Sequence, residues 1–127
     1  MGINAFEDLR VYLLAEELAD LVWGIVKRWE PLARDTVGKQ LIRSADSIGA
    51  NIAEGHGRGS YQDNRRFIRI GRGSLYETRH WLRRAFHREL LSKEQVAQLK
   101  SLLDNLGPQM NSYLKSIGRT NPNNANA

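Results

Sequence analysis

The residues best suited to chemistry in this sequence are the arginines between Arg58 and Arg88. This segment contains nine arginines, two acidic residues and no lysine. A guanidinium presents a planar fork of N–H donors that matches phosphate or carboxylate oxygens, whereas a lysine ammonium acts as a point charge. The composition of the segment therefore indicates recognition of an anionic partner.

Part of this charge forms a stripe along one helical face, which we call the arginine stripe. Its members are Arg65, Arg69, Arg72, Tyr76, Arg79 and Arg83. At about 100° per residue, they fall within an arc of roughly 80°. Like charges three or four residues apart destabilise an isolated helix by roughly 0.2–0.5 kcal/mol per pair, so the pattern favours a partner that neutralises them. Tyr76 interrupts the stripe, where it can either stack on an unpaired base or be partly buried.

Two kinds of anionic partner fit the arginine stripe. The first is a nucleic-acid backbone, to which Arg58 and the start of the following helix would add another phosphate contact. The second is an acidic face of a neighbouring subunit, because the first predicted helix has an acidic excess. Between residues 7 and 20, its charged residues are Glu7, Asp8, Arg10, Glu16, Glu17 and Asp20. The sequence leaves both alternatives open.

A second group of polar and small residues lies on the predicted helices 2 and 3. They are Ser47, Asn51, Glu54, Gly55, Gly71, Gly73, Ser74 and Glu77. Glycine inside a helix costs about 1 kcal/mol relative to alanine, so Gly71 and Gly73 indicate a closely approaching backbone. The structural interpretation is a hydrogen-bonded network between Asn51 and Glu77 that fixes the register of the two helices. The alternative is a carboxylate pair of Glu54 and Glu77 for acid/base or metal chemistry, although no nucleophile accompanies it.

Other catalytic signatures are incomplete. Glu77 and His80 have the Glu-x-x-His spacing of dinuclear metal bundles, but the required second copy is missing. The glycine-rich segment 55–60 follows a helix rather than a strand and lacks the phosphate-binding lysine of nucleotide sites. The chain has no cysteine, which excludes thiolate catalysis and cysteine-based zinc sites. We therefore predict neither a metal, a cofactor nor an enzymatic activity.

Helical periodicity places these residues on four helices, at about residues 6–29, 36–55, 61–89 and 93–117. Pro31 closes the first segment, and Asp35 or Thr36 can cap the second. Ser60 and Ser92 have the spacing of N-caps for the third and fourth helices. Helix 1 has more apolar residues than one core requires, and Leu9, Leu13 and Trp23 remain outside its main stripe. These three residues predict a second contact surface.

The helices predict an all-α fold, an antiparallel up-down four-helix bundle over residues 1–120. Pro108 lacks the N–H that would bond the carbonyl of Asp104, so we expect a kink in helix 4. The polar tail, residues 121–127, is expected to be disordered. At 127 residues the chain is one domain, and its net charge of +5 favours anionic partners. No apolar run is long enough to cross a bilayer, and we expect a soluble, cytoplasmic protein.

Two strings give the sequence a resemblance to a known family. SIGANIAEG at residues 47–55 and GSLYE at residues 73–77 resemble the signature of the four helix bundle protein family, also described as 23S rRNA intervening-sequence proteins. The likeness extends from FEDL at residues 6–9, through QLIR at residues 40–43, to helix 4. Related to this family is the accessory variability protein of diversity-generating retroelements, a basic bundle that forms a ring of five and works with a reverse transcriptase and nucleic acid.

The resemblance implies a non-enzymatic, basic, homo-oligomeric bundle whose partners are further copies of itself, nucleic acid and, by the related accessory protein, a reverse transcriptase. It also favours RNA and a pentamer. Seven positions match the signature and carry no assigned ligand: Ser47, Asn51, Glu54, Gly55, Gly73, Ser74 and Glu77. Together with the charge pattern, it predicts that RNA or DNA backbone is bound by Arg58 and the arginine stripe. The alternative remains a scaffold in which the stripe pairs with acidic helix 1 of a neighbouring subunit.

Overall fold

The structure is a computed structural model and describes residues 5–119. Within that range the regular elements are helical, which confirms the predicted all-α bundle. The four long helices are α1 (Arg10–Val26), α2 (Lys39–Gly57), α3 (Tyr61–His87) and α4 (Lys93–Ser116). None of the helices in the described range combines the length and apolar character needed to cross a membrane. The tail at residues 121–127, predicted to be disordered, lies outside the described residues.

The helices pack in chain order around one core. α1 packs on α2, α2 on α3 and α3 on α4, and α4 returns to α1. Near the start of α2, Ser44 contacts Thr78 late in α3, whereas Gly55 near the end of α2 lies beside Asn64 early in α3. This reversed order shows that α2 and α3 are antiparallel. Short connections join the other consecutive helices too, as in an up-down bundle.

The segment that leads into α2 differs from the sequence prediction. A helical turn at Pro31–Ala33 and a π-helical turn at Arg34–Gly38 run into α2 without an extended residue between them. The extended residue is Glu30, so the predicted cap at Asp35 or Thr36 is wrong. Proline is favoured at the first helical position because an N–H there would have no partner within the helix, so its loss costs nothing. Pro31 therefore opens the second helical segment, whereas α1 already ends at Val26, so the prediction that Pro31 closes the first helix is wrong.

The other helix ends follow local capping chemistry. Gly59, with φ of +85°, reverses the chain after α2. The Ser60 hydroxyl then accepts a hydrogen bond of 3.1 Å from the amide of Asp63, and Ser92 forms a full capping box with Gln95. Both predicted serine caps are confirmed. Helix α2 continues to Gly57, so Gly55 lies inside the helix rather than at its end.

All four helices contribute to the hydrophobic core. Its largest fully buried apolar side chains are Leu18, Val22, Val26, Leu41, Ile48, Ile52, Ile68, Leu106 and Met110. On the outer side of α1, Leu13 and Trp23 remain 43% and 56% exposed. Leu9 instead packs partly against the core, so the prediction that it is left over is wrong. The exposed apolar surface of α1 therefore consists of fewer residues than the sequence predicted.

Small residues bring α2 and α3 close together. A Cβ atom at Gly55 would lie 2.9 Å from Cβ of Phe67 and 3.0 Å from the carbonyl oxygen of Asn64. At Gly71 it would lie 3.3 Å from Cβ of Asn51. At Gly73, by contrast, a Cβ atom would have no neighbouring atom within 4 Å. The prediction of a closely approaching backbone is thus right for Gly71 and wrong for Gly73.

These distances predict opposite effects for two Gly→Ala substitutions. Gly55→Ala should lower the free energy of unfolding by about 1–3 kcal/mol, because the methyl group meets the backbone of α3. Gly73→Ala should raise it by up to about 1 kcal/mol, because alanine is the better helix former and the site is open. Urea denaturation followed by circular dichroism measures both. Equal effects of the two substitutions would contradict the close approach at Gly55.

Candidate functional site

The arginine stripe lies along α3, on the side that faces α4. Two of its members bond to residues at the far end of the chain, Arg65 to Ile117 and Arg72 to Asn111. Arg79 and Arg83 line a cleft between α3 and α4. The stripe therefore borders the seam between these two helices rather than the outermost surface of the bundle.

Arg65 serves the end of α4. Its Nη1 donates a hydrogen bond of 2.9 Å to the carbonyl oxygen of Ile117, the residue that ends this helix. Gly118 follows with φ of +78°, and a Cβ there would lie 2.9 Å from the same Nη1. A cation near the C-terminus of a helix also interacts favourably with the helix dipole. Arg65 thus holds α4 against α3, a role that sequence spacing alone does not reveal.

Arg58 and Arg72 each contact other side chains of the bundle. Arg58 lies 3.7 Å from the Glu54 carboxylate and 5.1 Å from the centre of the Phe67 ring. Arg72 donates a hydrogen bond of 3.1 Å from Nη1 to Oδ1 of Asn111. Exposed ion pairs contribute little to stability, so the Arg58 guanidinium can exchange Glu54 for another anion at small cost.

The remaining members of the stripe are exposed. Arg69, Arg79 and Arg83 make no hydrogen bond or ion pair with another residue in the range 5–119. Tyr76 is 61% exposed, and the guanidinium carbon of Arg79 lies 5.6 Å from the centre of its ring. Because most of its surface is exposed, the alternative that Tyr76 is partly buried is wrong. Three guanidinium groups and one aromatic ring share this part of the surface.

The cleft beside these residues has a volume of about 580 Å³. Its walls include the apolar side chains of Leu75, Leu82, Leu99 and Leu103. Three basic residues, Arg79, Arg83 and Lys100, contribute to its lining. Within this group, Lys100 lies 2.8 Å from the carboxylate of Asp104, which offsets part of its charge. The cleft thus combines apolar walls with arginines, and no sequence signal indicates it.

The signature residues of α2 and α3 form a network of short polar side chains. The hydroxyls of Ser47 and Ser74 lie 3.0 Å apart, and Nδ2 of Asn51 donates to the carbonyl of Ser47 at 2.7 Å. Further along, the buried Thr78 hydroxyl donates to Oγ of Ser44 at 3.0 Å. The contacts of Ser47 with Ser74 and of Thr78 with Ser44 join the two helices at matching levels, as a register-fixing network requires, whereas the Asn51 bond lies within α2.

Glu77 is not a member of that network. It is exposed, and its carboxylate accepts a hydrogen bond of 3.2 Å from Nε1 of Trp81 on the same helix. The predicted pairing of Asn51 with Glu77 is therefore wrong. Its neighbour Thr78, one position further along and about 100° around the helix, does reach across to α2, as Ser74 does.

The carboxylates of Glu54 and Glu77 are also far apart. Because Thr78 contacts Ser44, Glu77 lies near the start of α2, whereas Glu54 lies ten residues after Ser44. At 1.5 Å per residue this separation is about 15 Å along the helix, too far for a shared proton or metal. Across residues 5–119, no group of three or more histidine, aspartate or glutamate side chains is arranged to hold a metal ion.

An acidic groove lies between α1 and α2, on the side of the bundle opposite α3 and α4. It has a volume of about 390 Å³, and its acidic lining residues are Glu16, Asp20 and Asp46. Burial, and then the charge of Asp20, raise the pKa of the Asp46 carboxyl. Burial and the hydrogen bond to Glu16 likewise raise the pKa of the Tyr12 hydroxyl. The charged residues that line the groove are thus all acidic. The sequence prediction placed the acidic residues on helix 1 alone and did not include Asp46, which lies on α2.

A comparison with known protein families shows which family the chain belongs to. Residues 7–112 match the family described as 23S rRNA-intervening sequence protein. The chain belongs to this family. Its membership confirms the resemblance stated from the two signature strings. No curated protein matches the chain. The matched range includes the arginine stripe, the signature network and the α4 side of the cleft as far as Asn111. It does not include Ile117, the residue to which Arg65 bonds.

The contacts of α3 predict different roles for two neighbouring arginines. Arg65→Ala should lower the free energy of unfolding by about 1.5 kcal/mol, because it removes a charge-assisted bond to the end of α4. Arg69→Ala removes the same charge from an exposed position and should change stability by less than about 0.5 kcal/mol. Thermal and urea denaturation of both variants measure the difference. Equal stability of the two variants would contradict the capping role of Arg65.

Proposed function

We propose that this protein is a non-enzymatic, homo-oligomeric bundle that binds RNA through the arginines of α3, without strong sequence preference. The observation that carries the proposal is the exposed group of Arg69, Arg79 and Arg83 beside Tyr76. Phosphates neutralise the mutual repulsion of such a group, and guanidinium forks match their geometry. An exposed aromatic ring within the same surface adds stacking on an unpaired base.

Family membership supports RNA as the partner. The family is named for the intervening sequences of 23S rRNA, which supports a small helical protein linked to rRNA. This link favours RNA over DNA as the partner. The resemblance to the accessory variability protein extends the proposal to a ring of five subunits and to a reverse transcriptase as a protein partner. We place this activity in the cytoplasm, where such RNA is found. The separation of Glu54 from Glu77 supports a role without catalysis.

RNA binding through these arginines should depend on salt concentration. If Arg69, Arg79 and Arg83 each contact one phosphate of a single strand, log Kd should change with log salt concentration with a slope near 2 per subunit. Removing two contacts in the double variant Arg79→Ala with Arg83→Ala should reduce this slope by about 1.4 and weaken binding. Fluorescence anisotropy with a labelled single-stranded RNA at several salt concentrations measures both values.

Another pair of arginines on α3 supplies a matched control. Arg66 lies 3.7 Å from Asp63, and it and Arg84 lie outside the stripe on the same helix. The double variant Arg66→Ala with Arg84→Ala removes the same net charge and should keep most of the salt slope. Equal losses in the two double variants would mean that overall charge, rather than the stripe, attracts RNA. No binding of RNA at low salt would reject the proposal.

A second candidate function is a scaffold in which copies of the chain associate through opposite charges. Two observations favour it. The acidic groove of Glu16, Asp20 and Asp46 faces away from the arginines of α3, so one copy can present it to the next copy. Leu13 and Trp23 are exposed on the same helix as Glu16 and Asp20 and would be covered by association. Heterologous contacts of this kind form closed rings when the rotation between copies closes.

Charge reversal distinguishes the two candidates. If the stripe pairs with the acids of α1, Arg69→Glu with Arg72→Glu should break the oligomer, and adding Glu16→Arg with Glu17→Arg should partly restore it. If the stripe binds RNA, the first double variant should keep its mass and lose RNA affinity. Native mass spectrometry gives the mass, with a pentamer expected at five times 14.5 kDa, and anisotropy gives the affinity. An intact oligomer in the first variant would contradict the scaffold interpretation.

A further inference from the structure

The cleft between α3 and α4 has features that backbone binding alone does not require. Phosphates need exposed cations, yet this cleft has apolar walls that include Leu75, Leu82 and Leu103. Its volume of about 580 Å³ falls within the range of about 300–1,000 Å³ that small-ligand pockets occupy. Arg79 and Arg83 line the same cleft, so the apolar space and the positive charge belong to one site.

Helix α4 also supplies a hydrogen-bond acceptor at this site. Pro108 lies inside the helix and has no N–H, so the carbonyl of Asp104 lacks its usual helical donor. Both residues line the cleft. A backbone carbonyl without a helical partner is suited to accept a hydrogen bond from an uncharged N–H donor, such as the amino group of a nucleobase. The carboxylate side chains of an acidic peptide only accept hydrogen bonds and cannot donate to this carbonyl.

We infer that the cleft binds one unpaired nucleobase of an RNA strand. The base lies between the apolar side chains of Leu75 and Leu103, and its amino group donates to the carbonyl of Asp104. Arg79 and Arg83 bind the flanking phosphates, and Tyr76 stacks on the neighbouring base at the rim. This inference rests on the proposed RNA-binding function and adds a preference for RNA with an unpaired nucleotide.

A substitution that fills the cleft without changing its charge tests this inference. Gly107 lines the cleft, and the nearest atom to a Cβ there is Cδ2 of Leu75 at 4.0 Å. The position therefore has room for the first atoms of a phenylalanine side chain. The substitution also removes a glycine, which destabilises a helix. The matched control is Gly24→Phe on α1, where nothing lies within 4 Å of a Cβ position. Circular dichroism of both variants establishes that each is folded, and Gly107→Leu replaces Gly107→Phe if the larger side chain prevents folding.

The probes are two RNA duplexes of equal length that differ by one bulged adenosine. Wild-type protein and Gly24→Phe should bind the bulged duplex about tenfold more tightly, as expected from stacking of a single base. Gly107→Phe should bind both duplexes with nearly equal affinity, and its affinity for the fully paired duplex should match that of wild type. Adenosine monophosphate should compete with the bulged duplex while leaving the paired duplex bound, which separates the base pocket from the arginine contacts.

Three results would overturn the inference in distinguishable ways. Equal binding of both duplexes by wild-type protein, with normal salt dependence, would reject the base pocket and leave the proposed RNA binding intact. No binding of either duplex would reject the proposed function itself and the pocket with it. A Gly107→Phe protein that keeps its preference for the bulge but changes its oligomeric mass would assign the cleft to contact between protein chains.

Discussion

The close packing of α2 against α3 determines how the rest of this bundle is arranged. It depends on two glycines, Gly55 and Gly71, because a Cβ at either position would press on the opposite helix. Two hydroxyl contacts, Ser47 with Ser74 and Thr78 with Ser44, then fix the register. Helices α3 and α4 have no such row of small residues along their seam, and a cleft of about 580 Å³ remains between them. One face of α3 thus packs in the core, while the neighbouring face borders the cleft.

The arginines of α3 also divide into those that contribute to the fold and those that do not. The arginines of α3 repel one another, and core burial and the packing on α2 offset this cost. Arg65 is bound at the end of α4, so its charge contributes to the fold. Arg69, Arg79 and Arg83 have no such partner in the described part of the chain, so a bound anion would relieve their repulsion. A stripe that looks uniform in sequence therefore divides, in the described part of the chain, into arginines bonded to residues at the end of the chain and arginines without a hydrogen bond or ion pair.

Local interactions could be predicted from the sequence, whereas contacts between distant residues could not. Periodicity and serine caps are local, so the helices and the starts of α3 and α4 follow from the residue pattern. The network between α2 and α3 was also predicted, but with Glu77 instead of Thr78, because one residue changes the facing direction by about 100°. The bond from Arg65 to Ile117 joins residues far apart in sequence, and no spacing rule reveals it. The cleft depends on the distance between two helices, which composition and periodicity do not determine.

The central claim is that RNA contacts the α3 and α4 face, and photo-crosslinking tests it most directly. The wild-type protein would be irradiated with a single-stranded RNA containing 4-thiouridine, and the crosslinked peptides identified by mass spectrometry. We predict crosslinks at Tyr76 and along the facing part of α4 between Leu103 and Asn111, and none on the acidic outer face of α1. Crosslinks on α1, or spread over all four helices in proportion to exposed surface, would contradict the claim.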